Sequence, residues 1–149
     1  MNKKICLVSS PGGHLEQILQ LEPICKKYEY FFIVNDIKYL RRDILERTHF
    51  ITKSQRDWKF FINLIEAFRI FYKERPSVII STGAGCAIPV SLVGKFIFEC
   101  KVIYIESFAS VYRPTLTGRI MYYIADLFIY QWEYLRQYFQ KGILGGPIF

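Results

Sequence analysis

Short apolar runs alternate with longer segments of helical period along this sequence. Lys4–Ser9 (KICLVS) is apolar after its lysine and stops at Ser10-Pro11-Gly12-Gly13. That is the pattern of a buried strand leaving into a tight loop. From His14 to Lys27, Leu15, Ile18, Leu19, Leu21 and Ile24 recur at helical spacing, and Pro23 breaks or kinks the end. Tyr30–Val34 (YFFIV) reads as a second strand closed by Asn35-Asp36, residues 37–47 as a short helix, and His49–Thr52 as a third strand. Asp57–Tyr72 is the most periodic segment. Lys59, Asn63, Glu66, Arg69 and Lys73 fall on one narrow polar stripe, apolar residues cover the rest, and Pro76 follows the helix end.

Val78–Ser81 (VIIS) is a strand that opens into Thr82-Gly83-Ala84-Gly85, and Ala87–Phe98 is helical. Lys101–Glu106 (KVIYIE) is a further strand, and Ser107–Thr117 is a loop rich in turn and cap residues. A helix over Gly118–Ala125, a strand at Leu127–Tyr130 and a short helix over Glu133–Phe139 precede the terminal Gly142-Ile-Leu-Gly-Gly-Pro. Strands thus alternate with helices at least five times. That predicts a mostly parallel sheet covered on both faces. With right-handed crossovers the fold class is α/β, a Rossmann-like doubly wound structure. No linker or internal repeat interrupts the 149 residues, a length that suits one domain (1–149) around one core.

Composition sharpens this picture. The chain is 52% hydrophobic and 17% aromatic, which excludes disorder and implies more apolar surface than a small soluble monomer needs. Its +7 net charge is uneven: residues 37–75 hold ten basic and five acidic side chains, so +5 of it sits in one segment. That is a basic face rather than a basic tail. Nucleic acid is not the expected partner, because Phe, Ile and Leu dominate that segment and no nucleic-acid motif occurs. Cys6, Cys25, Cys86 and Cys100 form no C-x-x-C pair, so no zinc or other metal site is expected; buried reduced thiols are. Only four apolar residues follow Lys3-Lys4, too few for a secretory signal. The longest uncharged stretch, residues 77–94, is interrupted by Gly, Pro, Ser and Thr, so no transmembrane segment is expected.

In doubly wound sheets ligands bind outside the carboxyl ends of the strands, and three loops here leave such ends. Ser9-Ser10-Pro11-Gly12-Gly13-His14 lets backbone approach a ligand before a helix start, or is merely a glycine turn. It is neither G-x-G-x-x-G nor a Walker loop, so no nucleotide cofactor is expected. His14 is a candidate general base, the alternative being a cap or surface histidine. Ser81-Thr82-Gly83-Ala84-Gly85 suits phosphate or sugar contacts, or close helix–strand packing. Glu106-Ser107 puts a carboxylate at a buried strand end. There it is either a base with a raised pKa, or a partner to a helix cap or to Arg113 or Arg119.

Taken together, Ser-Pro-Gly-Gly-His-Leu-Glu at 10–16, Ser-Thr-Gly-Ala-Gly at 81–85, Tyr-Ile-Glu-Ser-Phe-Ala at 104–109, Pro-Thr-Leu-Thr-Gly-Arg at 114–119 and Ile-Ala-Asp-Leu-Phe-Ile-Tyr-Gln-Trp-Glu at 124–133 carry a resemblance. The chain resembles bacterial capsule and exopolysaccharide proteins related to the membrane-anchoring subunit of the bipartite N-acetylglucosaminyltransferase of N-glycan assembly. That resemblance implies the N-terminal, acceptor-side half of a GT-B glycosyltransferase, with a second polypeptide binding the UDP-sugar. The N-terminal half of the peptidoglycan transferase that makes lipid II is similar in layout. By that likeness Ser10, Gly12, Gly13, Thr82, Gly83, Gly85, Ser107, Arg113, Thr117 and Gly118 would contact the acceptor or its diphosphate, and His14 and Glu106 would be the catalytic candidates. Pro11 stands where many relatives have Gly, and Thr115 where Ser is commoner. The eukaryotic relative has an N-terminal membrane helix, and no such helix is expected within these 149 residues.

The implied partners are a donor-binding subunit, an undecaprenyl-diphosphate-linked saccharide, a UDP-sugar held by that subunit, and the inner membrane surface. The implied location is peripheral, on the cytoplasmic face of the plasma membrane. Helix 57–73 carries Trp58, Phe60, Phe61, Phe68 and Phe71 beside Lys and Arg, which suits either an interfacial helix on anionic lipid or a core helix against the sheet. The rival from another class is a non-catalytic scaffold that recruits and activates a complete transferase.

Overall fold

The computed structural model describes residues 3–35, 42–54 and 57–148. Seven parallel strands form one sheet in the order β3-β2-β1-β4-β5-β6-β7. They are β1 (Lys4–Ser9), β2 (Glu29–Val34), β3 (Thr48–Phe50), β4 (Val78–Ser81), β5 (Lys101–Ile105), β6 (Leu127–Tyr130) and β7 (Ile143–Leu144). The order reverses between β1 and β4, and a doubly wound sheet opens its ligand crevice at that switch. The helices are α1 (Gly13–Leu19), α2 (Glu22–Cys25), α3 (Lys59–Glu74), α4 (Ala87–Ile97) and α5 (Leu116–Ile124).

The continuous apolar runs have their reason in this arrangement. Along β1, Cys6 and Val8 join one core cluster with Ala67 and Phe71 of α3, Val90 and Val93 of α4, and Met121 of α5. Ile5 and Leu7 join the other, with Leu15, Ile18 and Leu19 of α1 and Cys25 of α2. Both faces of the strand are covered, so neither can be polar. All four cysteines are buried, unpaired thiols, and burial pushes Cys86 up to about 12.

Several boundaries differ from the sequence expectations. The helix expected over 14–27 is two helices, with Pro23 in the first turn of α2. Of the helix expected over 37–47, Arg42–Arg47 is a 3-10 turn, and residues 37–41, like Asp36, lie outside the described residues. Helix α5 begins two residues before Gly118, because Thr115 caps it: its side chain accepts from Gly118 N at 2.8 Å. Strand β7 has no counterpart among the strands that the sequence pattern predicts. It is two residues long and pairs with β6 through Ile129 and Ile143, too short to carry a pattern.

The expectation for α3 divides. Trp58, Phe61, Ile65, Phe68 and Tyr72 form an exposed apolar stripe, with Trp58 70% and Phe61 67% exposed and Phe60 half-buried. Phe71 does not belong with them. It is fully buried, its ring packed edge-on against Phe98, because it continues the inward line Asn63–Ala67–Phe71. The predicted polar stripe also turns partly inward. Asn63 is fully buried and donates to Ser54 Oγ at 2.9 Å, and Glu66 accepts from Thr52 N and Oγ1, both at 2.8 Å. Helix α3 thus turns both apolar and polar side chains inward and keeps a second apolar stripe outward.

Candidate functional site

Because all strands run parallel, their carboxyl ends share one edge of the sheet. There a cleft of about 650 Å³ opens, lined among others by Ser10, Gly12 and His14 after β1, Asn35 after β2, Lys53 and Ser54 after β3, and Gly85 after β4.

Two loops lock His14 in place. Thr82 Oγ1 donates to the His14 carbonyl at 2.7 Å, and His14 Nδ1 lies 2.9 Å from the Thr82 carbonyl oxygen. A carbonyl oxygen only accepts, so Nδ1 carries the hydrogen. In the neutral ring Nε2 is then the lone-pair nitrogen, on a residue that lines the cleft. Gly83 makes this possible. Its φ is 122°, and a Cβ there would stand 2.8 Å from His14 Cε1.

Of the two readings open for Glu106, the structure shows the partner to a helix cap, Thr115. Glu106 is fully buried, so no part of it faces the cleft. Its Oε1 accepts from Ser107 N and from Thr115 Oγ1, each at 2.8 Å. Its Oε2 has no hydrogen-bond partner among the described residues and rests against Gly118, where a Cβ would coincide with it. Burial raises its pKa, outweighing those two hydrogen bonds. Glu106 therefore organises a loop: through Thr115 it fixes the start of α5, and through Ser107 the turn out of β5.

Two buried glutamines that were not among the candidate site residues complete this network. Gln17 Oε1 accepts from Phe108 N at 3.0 Å and from Gln131 Nε2 at 3.1 Å. Gln131 Nε2 also donates to the Glu106 carbonyl at 2.8 Å, and its Oε1 accepts from Ile148 N at 2.9 Å. Gln17 reads as a solvent-facing polar position within a helical period and Gln131 as a loop residue after a strand, so the polarity pattern does not show that both are buried.

Of the other expected residues, Ser10, Gly12 and Gly85 line the cleft with His14. Gly13 is exposed at the first position of α1. Thr82, Gly83, Ser107 and Gly118 are buried supports behind the surface, and Arg113 is exposed and lines neither this cleft nor its neighbour. Thr117 lines that neighbour, a largely apolar pocket of about 470 Å³ between α3, α4 and α5 with Phe60, Phe61, Ile88, Leu116 and Ile120. The two cavities share Ser54 and Gly85. A polar cleft thus adjoins an apolar pocket, whose Phe61 also belongs to the exposed stripe of α3. Among the described residues, no His, Cys, Asp and Glu side chains gather as a metal-binding group, and no helix is long and apolar enough to cross a membrane.

Comparison with known proteins places this geometry. MurG of Acinetobacter baumannii superposes with a TM-score of 0.71 over 88% of this chain and 41% of its own, at 12% identity. The UDP-N-acetylglucosamine 2-epimerase of Rickettsia bellii gives 0.78 over 99% and 46%, at 10% identity. At such identities the likeness is one of fold, the Rossmann-like half of a GT-B architecture. In sequence, the UDP-N-acetylglucosamine transferase subunit ALG14 of Candida albicans is 40% identical over 74 residues, covering 46% of this chain and 34% of its own length. That of Debaryomyces hansenii is 30% identical over 130 residues, covering 79% of this chain and 55% of its own. The chain thus spans from a third to just over half the length of these relatives. The family model described as "Oligosaccharide biosynthesis protein Alg14 like" matches residues 47–148, which include the loops at 81–85 and 106–118. With more than half of its length matched, the chain belongs to the Alg14-like family of oligosaccharide biosynthesis proteins.

Proposed function

We propose that this protein is the acceptor-side subunit of a two-component glycosyltransferase. It would bind an undecaprenyl-diphosphate-linked saccharide at the cytoplasmic face of the plasma membrane, in capsular or exopolysaccharide synthesis. Residues 1–149 form one acceptor-side half, and a separate subunit brings the UDP-sugar to the open carboxyl edge of the sheet. The observation that carries this reading is the polar, glycine-walled cleft adjoining an apolar pocket through Ser54 and Gly85. A substrate with a phosphate–sugar head and a hydrocarbon tail needs both environments side by side.

Transfer proceeds by displacement at the anomeric carbon. An acceptor hydroxyl oxygen forms the new bond to that carbon, the bond to the diphosphate breaks, and UDP leaves with the electron pair. His14 takes the hydroxyl proton on Nε2, and the Thr82 carbonyl behind Nδ1 stabilises the imidazolium that forms. Ser10, Gly12, Gly13, Gly85 and Thr117 contact the acceptor. Thr82, Gly83, Glu106, Ser107 and Gly118 hold those contacts in position. The exposed apolar stripe of α3, with Lys59 and Lys73 on the same helix, seats the subunit on anionic lipid.

The decisive experiment measures transfer from a UDP-sugar to a prenyl-diphosphate saccharide. The isolated chain gives little or no product, and its co-purified donor-binding subunit restores it. Robust transfer by the isolated chain would overturn the two-subunit reading. If the partner alone is fully active, the scaffold alternative replaces it.

A further inference from the structure

An apolar groove of about 420 Å³ runs between α3 and α4, walled by Leu64, Ile65, Leu92 and Phe96. Through Phe68 and Ile97 it joins a second cavity, of about 480 Å³, where the C-terminal ends of the two helices meet. Arg75 and Glu99 line that cavity, and both are exposed. The Arg75 guanidinium lies over the rings of Tyr72 and Phe98, 4.9 and 5.8 Å from their centres. Its Nε donates to the Tyr72 carbonyl at 3.0 Å, which is ordinary capping of a helix end. The Nη groups take no part in that bond, and Arg75 forms no ion pair among the described residues. Of the three non-glycine residues with positive φ among those described, two are Arg75 at 51° and Glu99 at 56°. A left-handed backbone disfavours any side chain, and glycine is the usual residue at such helix ends. One cation and one anion therefore stand where a bare glycine would be easier, at the open end of an apolar groove.

We propose that groove and cavity together bind one phospholipid with a phosphate–ammonium head: an acyl chain between α3 and α4, the phosphate on Arg75 and the ammonium on Glu99. This rests on the lipid-facing reading of α3 above and narrows it to one chemical class of lipid. Charge complementarity selects the occupant. A hydrocarbon chain alone leaves both charges unmet. A head with net negative charge meets Arg75 but is repelled by Glu99. A free phosphate fills the charged cavity and leaves the groove empty. The guanidinium presents parallel N–H donors that match phosphate oxygens, and the two rings restrict its orientation. A primary ammonium offers three N–H donors to the Glu99 carboxylate, which only accepts, whereas a quaternary ammonium offers none. The phosphoethanolamine head is therefore preferred to phosphocholine. Arg75 ends α3 and Trp58 precedes its first turn, so this lipid sits at the far end of the helix from the acceptor cleft and is a seat rather than a substrate.

The test compares three soluble probes by calorimetry: dihexanoylphosphatidylethanolamine, its choline counterpart, and phosphoethanolamine without chains. The wild-type chain should bind the ethanolamine lipid about three- to tenfold more tightly than the choline lipid, the worth of one hydrogen bond, and the chainless head at least about tenfold more weakly. Arg75→Gly should weaken both lipids about three- to tenfold, and Glu99→Gly should erase the preference for ethanolamine. Glycine suits the left-handed backbone at both positions, so the melting temperatures should stay level or rise. Unchanged lipid binding by Arg75→Gly, equal binding of the two lipids by the wild type, or a chainless head that binds as tightly as the lipid would each overturn the inference. Sedimentation with phosphatidylglycerol vesicles containing either ethanolamine or choline lipid separates it from the reading beneath it. Equal pelleting with both kinds overturns the inference and leaves the lipid face of α3 intact, and pelleting with neither overturns both.

Discussion

At the scale of single residues, the two candidate catalytic groups have parted company. His14 keeps a lone-pair nitrogen on the cleft wall, and His14→Ala should lower transfer by the complete pair by about 10²- to 10⁴-fold. Unchanged turnover would remove His14 from the mechanism. Glu106 has the opposite character. Glu106→Gln retains an acceptor for Ser107 N and Thr115 Oγ1 and should fold normally, whereas Glu106→Ala should cost about 1–3 kcal/mol in denaturant unfolding. Because burial raises its pKa, the native state holds the proton more tightly than the unfolded chain. The associated stability is present below about pH 4.3, the ordinary glutamate value, and is lost as pH rises through the higher native value. Glu106→Gln should flatten that part of the stability profile. Glu74 behaves in reverse. Its burial is outweighed by Lys4 and His49, which hold its carboxyl below the usual range. Its contribution is present above that range and lost on acidification through the lowered native value. Gly118→Ala should cost about 1–3 kcal/mol or more, since its methyl would occupy the space of Glu106 Oε2. It should cost less in a Glu106→Ala background, a non-additivity that unfolding of the double variant would reveal.

At the scale of elements, α3 serves two surfaces at once. The line Asn63–Ala67–Phe71 faces the sheet, while Trp58, Phe61, Ile65, Phe68 and Tyr72 face outward. Phe96 and Ile97 of α4 extend this apolar surface, and Leu64, Ile65, Phe68, Leu92, Phe96 and Ile97 line a groove between the two helices. Phe71→Ala should therefore destabilise the fold by about 3–5 kcal/mol. Trp58→Ser with Phe61→Ser should change stability by only about 0.5 kcal/mol per site, yet should sharply reduce co-sedimentation with anionic vesicles. If the double variant pellets with vesicles as well as the wild type, the outward stripe is not the lipid-binding face.

At the scale of the whole molecule, the parallel sheet separates two chemistries by its ends. The amino ends gather ion pairs, with Lys4 and His49 on Glu74. The carboxyl ends gather glycines, hydroxyls, His14 and Asn35 around the cleft. The basic surplus of residues 37–75 includes Lys59, Arg69 and Lys73 on α3 itself. Vesicle binding should accordingly weaken as salt is raised, because exposed charges are screened over about 10 Å at 0.1 M. Binding that is indifferent to both salt and lipid charge would leave hydrophobic contact as its sole source.

The apolar runs determined the strands, and their alternation with helices determined a doubly wound parallel sheet, because a strand covered on both faces cannot hide its composition. Glycine and hydroxyl clusters at strand ends marked Ser10–His14 and Thr82–Gly85, since tight loops and close approaches restrict residue choice. What a side chain does once there was a tertiary matter. Glu106 reads the same in sequence whether it faces a cleft or a glycine on α5, and only the packing of α5 against β5 put it out of reach. Phe71 and Phe68 look alike within one helical period, and the sheet beneath α3 decided which is core. Gln17 and Gln131 carry no local signal of burial, because their roles depend on partners brought together from distant strand ends.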